Sequence, residues 1–219
     1  MGANRANRTS GASRGSPPFS RLYPILDASL ETLDSMTSGL RSLARAGCRL
    51  AQLRAKDLSG EEFYRWAVAA REASREVGIQ LLINDRADVA LLVGADGVHL
   101  GQDDLSPEGA RKILGASATI GLSTHGVDEA RRAGIAPVDY IAIGPIFETS
   151  TKTSGRSTLG IEGARAVRAV VEKPLVAIGG ITLENAPALL EAGIDGLAVI
   201  SALKQGGELE SLARAWLAL

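Results

Sequence analysis

Eight short apolar runs, each followed by a longer segment of helical period, constrain the fold of this chain more than any other feature. The runs are Leu22–Asp27, Arg49–Arg54, Gln80–Asn84, Gly97–Leu100, Thr119–Leu122, Tyr140–Ile143, Leu175–Ile178 and Gly196–Ile200. Helical patterns lie between them, at Leu33–Ala46, Glu61–Val77, Pro107–Leu114, Val127–Ala133, Ile161–Val171 and Leu183–Ala192, and Leu209–Leu217 closes the chain. Continuous apolar strands alternating with helices imply a parallel sheet covered by helices. Eight such units in about 200 residues predict an α/β fold, a single (β/α)8 TIM barrel. An open doubly wound sheet is the alternative, but Asp27-Ala28-Ser29 follows the first strand where a dinucleotide fold carries its Gly-rich turn.

Boundary signals agree with the pattern. Ser59 precedes Glu61 and Glu62, which suit the positive end of a helix dipole. Gly47, Gly78, Gly115, Gly134 and Gly193 follow helical runs, where left-handed caps are expected. No repeat beyond the strand–helix period is evident. Residues 1–20 carry Arg5, Arg8 and Arg14 with no acid, and too few apolar groups to offset ordering entropy. They read as a disordered tail before a barrel domain spanning 21–219. A transit peptide is the sharper alternative, and Ala6 breaks the myristoylation pattern that Gly2 would begin.

Composition excludes several classes. The net charge of −1 provides no basic field for nucleic acid, so any anion site must be local. No run reaches the roughly 18 apolar residues of a membrane span. The single cysteine, Cys48, excludes a disulfide framework or a Cys-rich metal site and is compatible with a reducing, cytoplasmic setting.

Barrels keep their chemistry at the carboxyl ends of the strands, and polar residues gather there. Gln52, Arg54 and Lys56 alternate and share one face, an arrangement suited to an anion, while Leu53 and Ala55 point towards the helices. The alternative is a solvated strand end paired with Asp57 or Glu61. Asp85 follows the third run, and Asp103 and Asp104 follow the fourth. Adjacent strands would bring these acids together, and Mg²⁺ takes one or two carboxylates plus substrate phosphates. They could instead cap the helices that follow. His99 reads as a satisfied core histidine. The long loop from Phe147 to Gly160 holds Thr149, Ser150, Thr151 and Lys152, which suit phosphate oxygens, although an ordinary polar loop has the same composition. Gly180 permits close backbone approach and Ser201 can open a short helix, as in the phosphate sites after strands seven and eight of many barrels; two tight turns are the alternative.

Beyond these local readings, residues from about Leu22 to Leu217 resemble the thiamine phosphate synthase family. The resemblance is carried by Gln52-Leu53-Arg54-Ala55-Lys56, Ile83-Asn84-Asp85-Arg86-Ala87-Asp88-Val89-Ala90 and Asp96-Gly97-Val98-His99-Leu100-Gly101-Gln102-Asp103-Asp104. It continues in Gly121-Leu122-Ser123-Thr124-His125, Gly144-Pro145-Ile146-Phe147 with Thr149-Ser150-Thr151-Lys152, Ala177-Ile178-Gly179-Gly180-Ile181 and Val199-Ile200-Ser201-Ala202. It implies an alkyl-transferring enzyme that joins an aminopyrimidine methyl diphosphate to a thiazole phosphate, carboxylated or not, with Mg²⁺, by a dissociative substitution. By that resemblance Gln52, Leu53, Arg54, Ala55, Lys56 and Asn84 hold the pyrimidine diphosphate, and Asp85 and Asp104 bind Mg²⁺. Ser123 and Lys152 contact the diphosphate, and Arg54, Lys56, Ser123 and Lys152 carry catalysis. Thr149, Ser150 and Thr151 contact the thiazole phosphate; Gly180, Ile200 and Ser201 take the remaining phosphate oxygens. Small-molecule substrates are implied, with no nucleic-acid or membrane partner, and a homo-oligomer is compatible. Phe147-Glu148-Thr149 and His125 also resemble the sister thiazole tautomerases, but the intact Gly101-Gln102-Asp103-Asp104 segment favours the synthase.

Overall fold

A computed structural model describes residues 20–149, 157–204 and 207–219. The expected tail therefore lies outside the described residues, apart from Ser20. Eight parallel strands close into a barrel in chain order: β1 (Leu22–Asp27), β2 (Leu50–Arg54), β3 (Gln80–Asn84), β4 (Gly97–Leu100), β5 (Thr119–Thr124), β6 (Tyr140–Ile143), β7 (Leu175–Ile178) and β8 (Gly196–Val199). The β1–β8 pairing that completes the ring sets Tyr23 beside Ala198. Around it run α1 (Leu33–Ala46), α2 (Gly60–Val77), α3 (Ala87–Val93), α4 (Pro107–Leu114), α5 (Val127–Ile135), α6 (Gly160–Arg168), α7 (Ala186–Glu191) and α8 (Leu209–Leu217). Among the described residues no helix is long and apolar enough to cross a membrane.

Strand alternation divides the core into two layers. Tyr23, Ile25, Leu50, Leu82, Tyr140, Ala142, Val176 and Ala198 pack inside the ring. Their neighbours along the chain, such as Leu22, Leu53, Ile83 and Ile141, pack between ring and helices. A two-residue period thus puts Gln52 and Arg54 inside and sends Leu53 and Ala55 to the helices.

Local signals set most boundaries. Thr32 and Ser59 build reciprocal caps with Ser35 and Glu62, and Gly47 and Gly78 end α1 and α2 in the left-handed conformation. Elsewhere the expectations need correction. Gly134 lies within α5, which runs to Ile135 and stops before Pro137, where no backbone N–H can continue it. Gly115 has positive φ but an extended ψ, so it is not a left-handed cap. Helix α7 is shorter than its pattern because Thr182 and Asn185 exchange side-chain bonds with each other's backbone, which competes with helix formation. Helix α3 escaped the reading because its sequence, ADVALLV, has no polar face and its start has no side-chain cap.

The strand starts reveal a repeat of two strand–helix units. Asp96, Asp139 and Asp195 stand immediately before β4, β6 and β8. Each accepts the backbone N–H of the preceding strand, at Leu81, Ile120 and Leu175, over 2.7–2.8 Å. Each also pairs with an arginine of an even-numbered helix, Arg71, Arg111 and Arg168, over 2.6–2.9 Å. Before β2 the equivalent position is Arg49. These staples lie on the face of a barrel that serves stability.

Candidate active site

The carboxyl ends of the strands surround a cavity of about 360 Å³. Gln52, Arg54 and Lys56 reach it from β2, Asn84 and Asp85 from β3, and Asp104 from the loop after β4. Ser123, Thr149, Gly180, Ile200 and Ser201 line it from the other side chains of the ring and their loops. Leu53 and Ala55 are both buried in the outer layer, so their side chains support the site from behind. Ser150, Thr151 and Lys152 lie outside the described residues.

The acidic pair is built by neighbouring strands. Register places Asn84 beside His99, and the Asp85 N–H donates to the His99 carbonyl over 2.7 Å. Asp85 adopts a φ of 64°, the one positive φ outside glycine among the described residues. Aspartate tolerates that conformation better than most residues, and strain of this kind gathers at functional sites. Neither acid caps a helix: Arg86 stands at the N-cap of α3 with no side-chain cap, and Ser106 caps α4. Asp104 instead turns back to accept the Gly101 N–H at 2.7 Å. The two carboxyls are close enough to influence each other. Burial chiefly, then the hydrogen bond and charge of Asp104, raise the Asp85 pKa above the ordinary carboxylate value, against the opposing charge of Lys56. Two such oxygens beside one entry suit a hard cation that keeps further positions for phosphate. No cluster of three His, Cys, Asp or Glu side chains occurs among the described residues.

Basic groups stand against this pair. Lys56 Nζ is 3.3 Å from Asp85 Oδ2. Arg54 pairs with Asp27, directly opposite it on β1, and not with Asp57 or Glu61. Asp27 was not anticipated. Its other oxygen accepts the Ser29 N–H at 3.0 Å and hydroxyl at 2.7 Å, so the carboxylate is fixed before it meets the guanidinium. The signal was the Asp27-x-Ser29 turn, but its partner lies across the sheet.

The remaining polar groups are ordered. His99 is the satisfied core histidine expected, with Nδ1 on the Tyr140 hydroxyl and Nε2 on Ser123 Oγ. His125 holds the Gly144 carbonyl through Nδ1 at 2.7 Å. Gly180 has φ 61°, and a Cβ there would lie 2.3 Å from the Glu148 carbonyl, so the close approach read from sequence is to the loop after β6. Ser201 opens the short 3₁₀ helix Ser201–Lys204. Cys48 is buried, and burial pushes its thiol up to about 11, away from reactivity.

Comparison with known proteins follows the same outline. The family model described as thiamine monophosphate synthase matches residues 22–203. A thiamine-phosphate synthase of Syntrophomonas wolfei subsp. wolfei is 43% identical over 193 residues, 88% of this chain and 92% of that protein. One from Koribacter versatilis is 45% identical over 189 residues, covering 84% and 88%. The structure of a thiamine phosphate pyrophosphorylase from Pyrococcus furiosus superposes with a TM-score of 0.79 at 33% identity, over 90% of this chain and 93% of that one.

Proposed function

The chain belongs to the thiamine monophosphate synthase family, and from that membership we propose how its barrel mouth makes thiamine phosphate. The enzyme transfers an alkyl group: the pyrimidine methylene leaves a diphosphate oxygen and bonds to the thiazole nitrogen. One C–O bond breaks, one C–N bond forms, and pyrophosphate departs. In the dissociative path the bonding electrons leave with the diphosphate, and the methylene is briefly cationic.

The observation that carries the reading is the meeting of Asp85 and Asp104 beside Lys56. The donor set fits Mg²⁺, and Asp85 and Asp104 are the residues to hold it. When bound, Mg²⁺ supplies Lewis-acid stabilisation of charge on the diphosphate. Arg54, Lys56 and Lys152 add positive charge where the leaving group gains negative charge. Arg54 can do so without rearrangement, because Asp27 already holds one edge of its guanidinium. Gln52 and Asn84 seat the pyrimidine, and Ser123 contacts the diphosphate. Thr149, Ser150 and Thr151 take the thiazole phosphate, and the Gly180 backbone with the Ile200-Ser201 turn takes its remaining oxygens. Alignment of two bound rings contributes much of the acceleration; well-oriented intramolecular reactions gain roughly 7–11 kcal/mol. A side-chain nucleophile has no place in this scheme, in keeping with an inert Cys48. Cytoplasmic residence belongs to the same proposal, and the lone cysteine is compatible with it.

The test supplies purified protein with Mg²⁺, the pyrimidine diphosphate and the thiazole phosphate. Stoichiometric thiamine phosphate and pyrophosphate are expected, and both should disappear with EDTA. Release of neither product would overturn the reading.

A further inference from the structure

Beneath the mouth, a chain of hydrogen bonds crosses the inside of the barrel. Gln52 Nε2 donates to the Tyr23 hydroxyl at 2.7 Å. The Tyr23 and Tyr140 hydroxyls meet at 2.7 Å. Tyr140 then meets His99 Nδ1 at 2.8 Å, and His99 Nε2 meets Ser123 Oγ at 2.9 Å. The chain starts on β2, passes through β1, β6 and β4, and ends on β5. Gln52, His99 and Ser123 line the cavity. Tyr23 and Tyr140 lie below it, 1% and 0% exposed.

Packing holds the rings in place. Tyr23 meets Tyr140 edge to face at 5.8 Å, and His99 stacks on Tyr140 at 5.6 Å. Tyr140 occupies space that Gly121 leaves, where a Cβ would lie 2.0 Å from its Cζ. Filling that volume needs a ring but no hydroxyl, and a buried hydroxyl costs stability unless it is bonded. Burial raises the pKa of both tyrosines, so both stay neutral at working pH. The chain therefore conveys orientation rather than charge.

Its direction follows from the first donor. A hydroxyl that accepts a hydrogen bond becomes a better donor. Donation from Gln52 favours transfer of direction from Tyr23 to Tyr140 and from Tyr140 to His99 Nδ1. A neutral imidazole that accepts at Nδ1 carries its proton on Nε2, which donates to Ser123 Oγ. The Ser123 proton is then left for the mouth. At the opposite end, Gln52 has committed its amide nitrogen below and has its carbonyl oxygen to offer.

We propose that Tyr23, Tyr140 and His99 are positioning residues that polarise the floor of the site, presenting an acceptor on Gln52 and a donor on Ser123. The ligand side of this inference rests on the synthase reading. An aminopyrimidine diphosphate donates through its amino group and accepts through its ring nitrogens and phosphate oxygens. A 4-oxo analogue inverts that pattern at the exocyclic atom and the neighbouring ring nitrogen. Flipping the Gln52 amide to suit the analogue would break the chain at Tyr23.

The test reads the His99 tautomer by ¹⁵N NMR of the unliganded enzyme. The chain has two histidines, and the His99→Gln variant separates their signals. Protonation at Nε2 is expected. Tyr140→Phe keeps the ring and removes the hydroxyl, so His99 should lose its tautomer preference. The KM for the pyrimidine diphosphate should rise roughly 3–10-fold, the range for one net hydrogen bond, with the thiazole phosphate KM unchanged. The preference for the amino substrate over its 4-oxo analogue should narrow by a similar factor. Protonation of His99 at Nδ1 in the parent enzyme, or unaltered preference in a folded Tyr140→Phe enzyme, would overturn the proposal. Should that variant fail to fold, the parent tautomer decides. A parent enzyme that forms no thiamine phosphate would count against the synthase reading; an Nδ1-protonated His99 in an active enzyme counts against the polarised floor alone.

Discussion

The proposed function needs the guanidinium of Arg54 in place when a diphosphate arrives. Asp27 holds it there, and the pair is nearly dry: the two side chains are 14% and 2% exposed. Breaking one side of a buried pair strands the other charge. Arg54→Met should therefore destabilise the protein by about 3 kcal/mol, read from urea denaturation, and abolish turnover. Adding Asp27→Asn should restore most of the stability and none of the activity. The acidic pair behaves differently, since it consists of like charges held together by neighbouring strands. Asp104→Ala should leave the fold intact and cut turnover by more than the roughly 10–100-fold that outer-shell partners of a metal ligand carry. Turnover at the parent rate would remove Asp104 from the metal site.

At the scale of elements, the barrel separates its two ends. The three arginine–aspartate staples join strand starts to even-numbered helices, far along the strands from the mouth. Asp139→Ala removes a charged acceptor from the Ile120 N–H and from Arg111. It should cost about 2 kcal/mol, the scale of a hydrogen bond to a charged group, with KM values unchanged in the same preparation. Most strands and helices were legible because their signals are local: apolar runs, the capping boxes at Thr32 and Ser59, and the glycine stops at Gly47 and Gly78. Helix α3 was not, since six of its seven residues are apolar and no side-chain cap marks its start. Of the site, Gln52, Arg54, Asp85 and Asp104 could be read because strand ends announce them. Asp27, Tyr23 and Tyr140 could not. Their meaning lies in register and closure: Asp27 acts through its partner across β1 and β2, and the two tyrosines meet across 117 residues of chain.

For the molecule as a whole, a net charge of −1 means that phosphate recognition depends on arrangement. Closing the ring brings groups from separate strands to one mouth, where bases, acids and hydroxyls each supply one part of a site that no single segment contains. On the proposed function, the centre of that arrangement is the place where Asp85 and Asp104 would hold a divalent cation beside a diphosphate. The most direct measurement substitutes Mn²⁺ for Mg²⁺ and records its electron paramagnetic resonance with the pyrimidine diphosphate present. One saturable Mn²⁺ site should form in the parent protein and be lost in both Asp85→Ala and Asp104→Ala. Saturable Mn²⁺ binding at the parent affinity in either folded variant would contradict it.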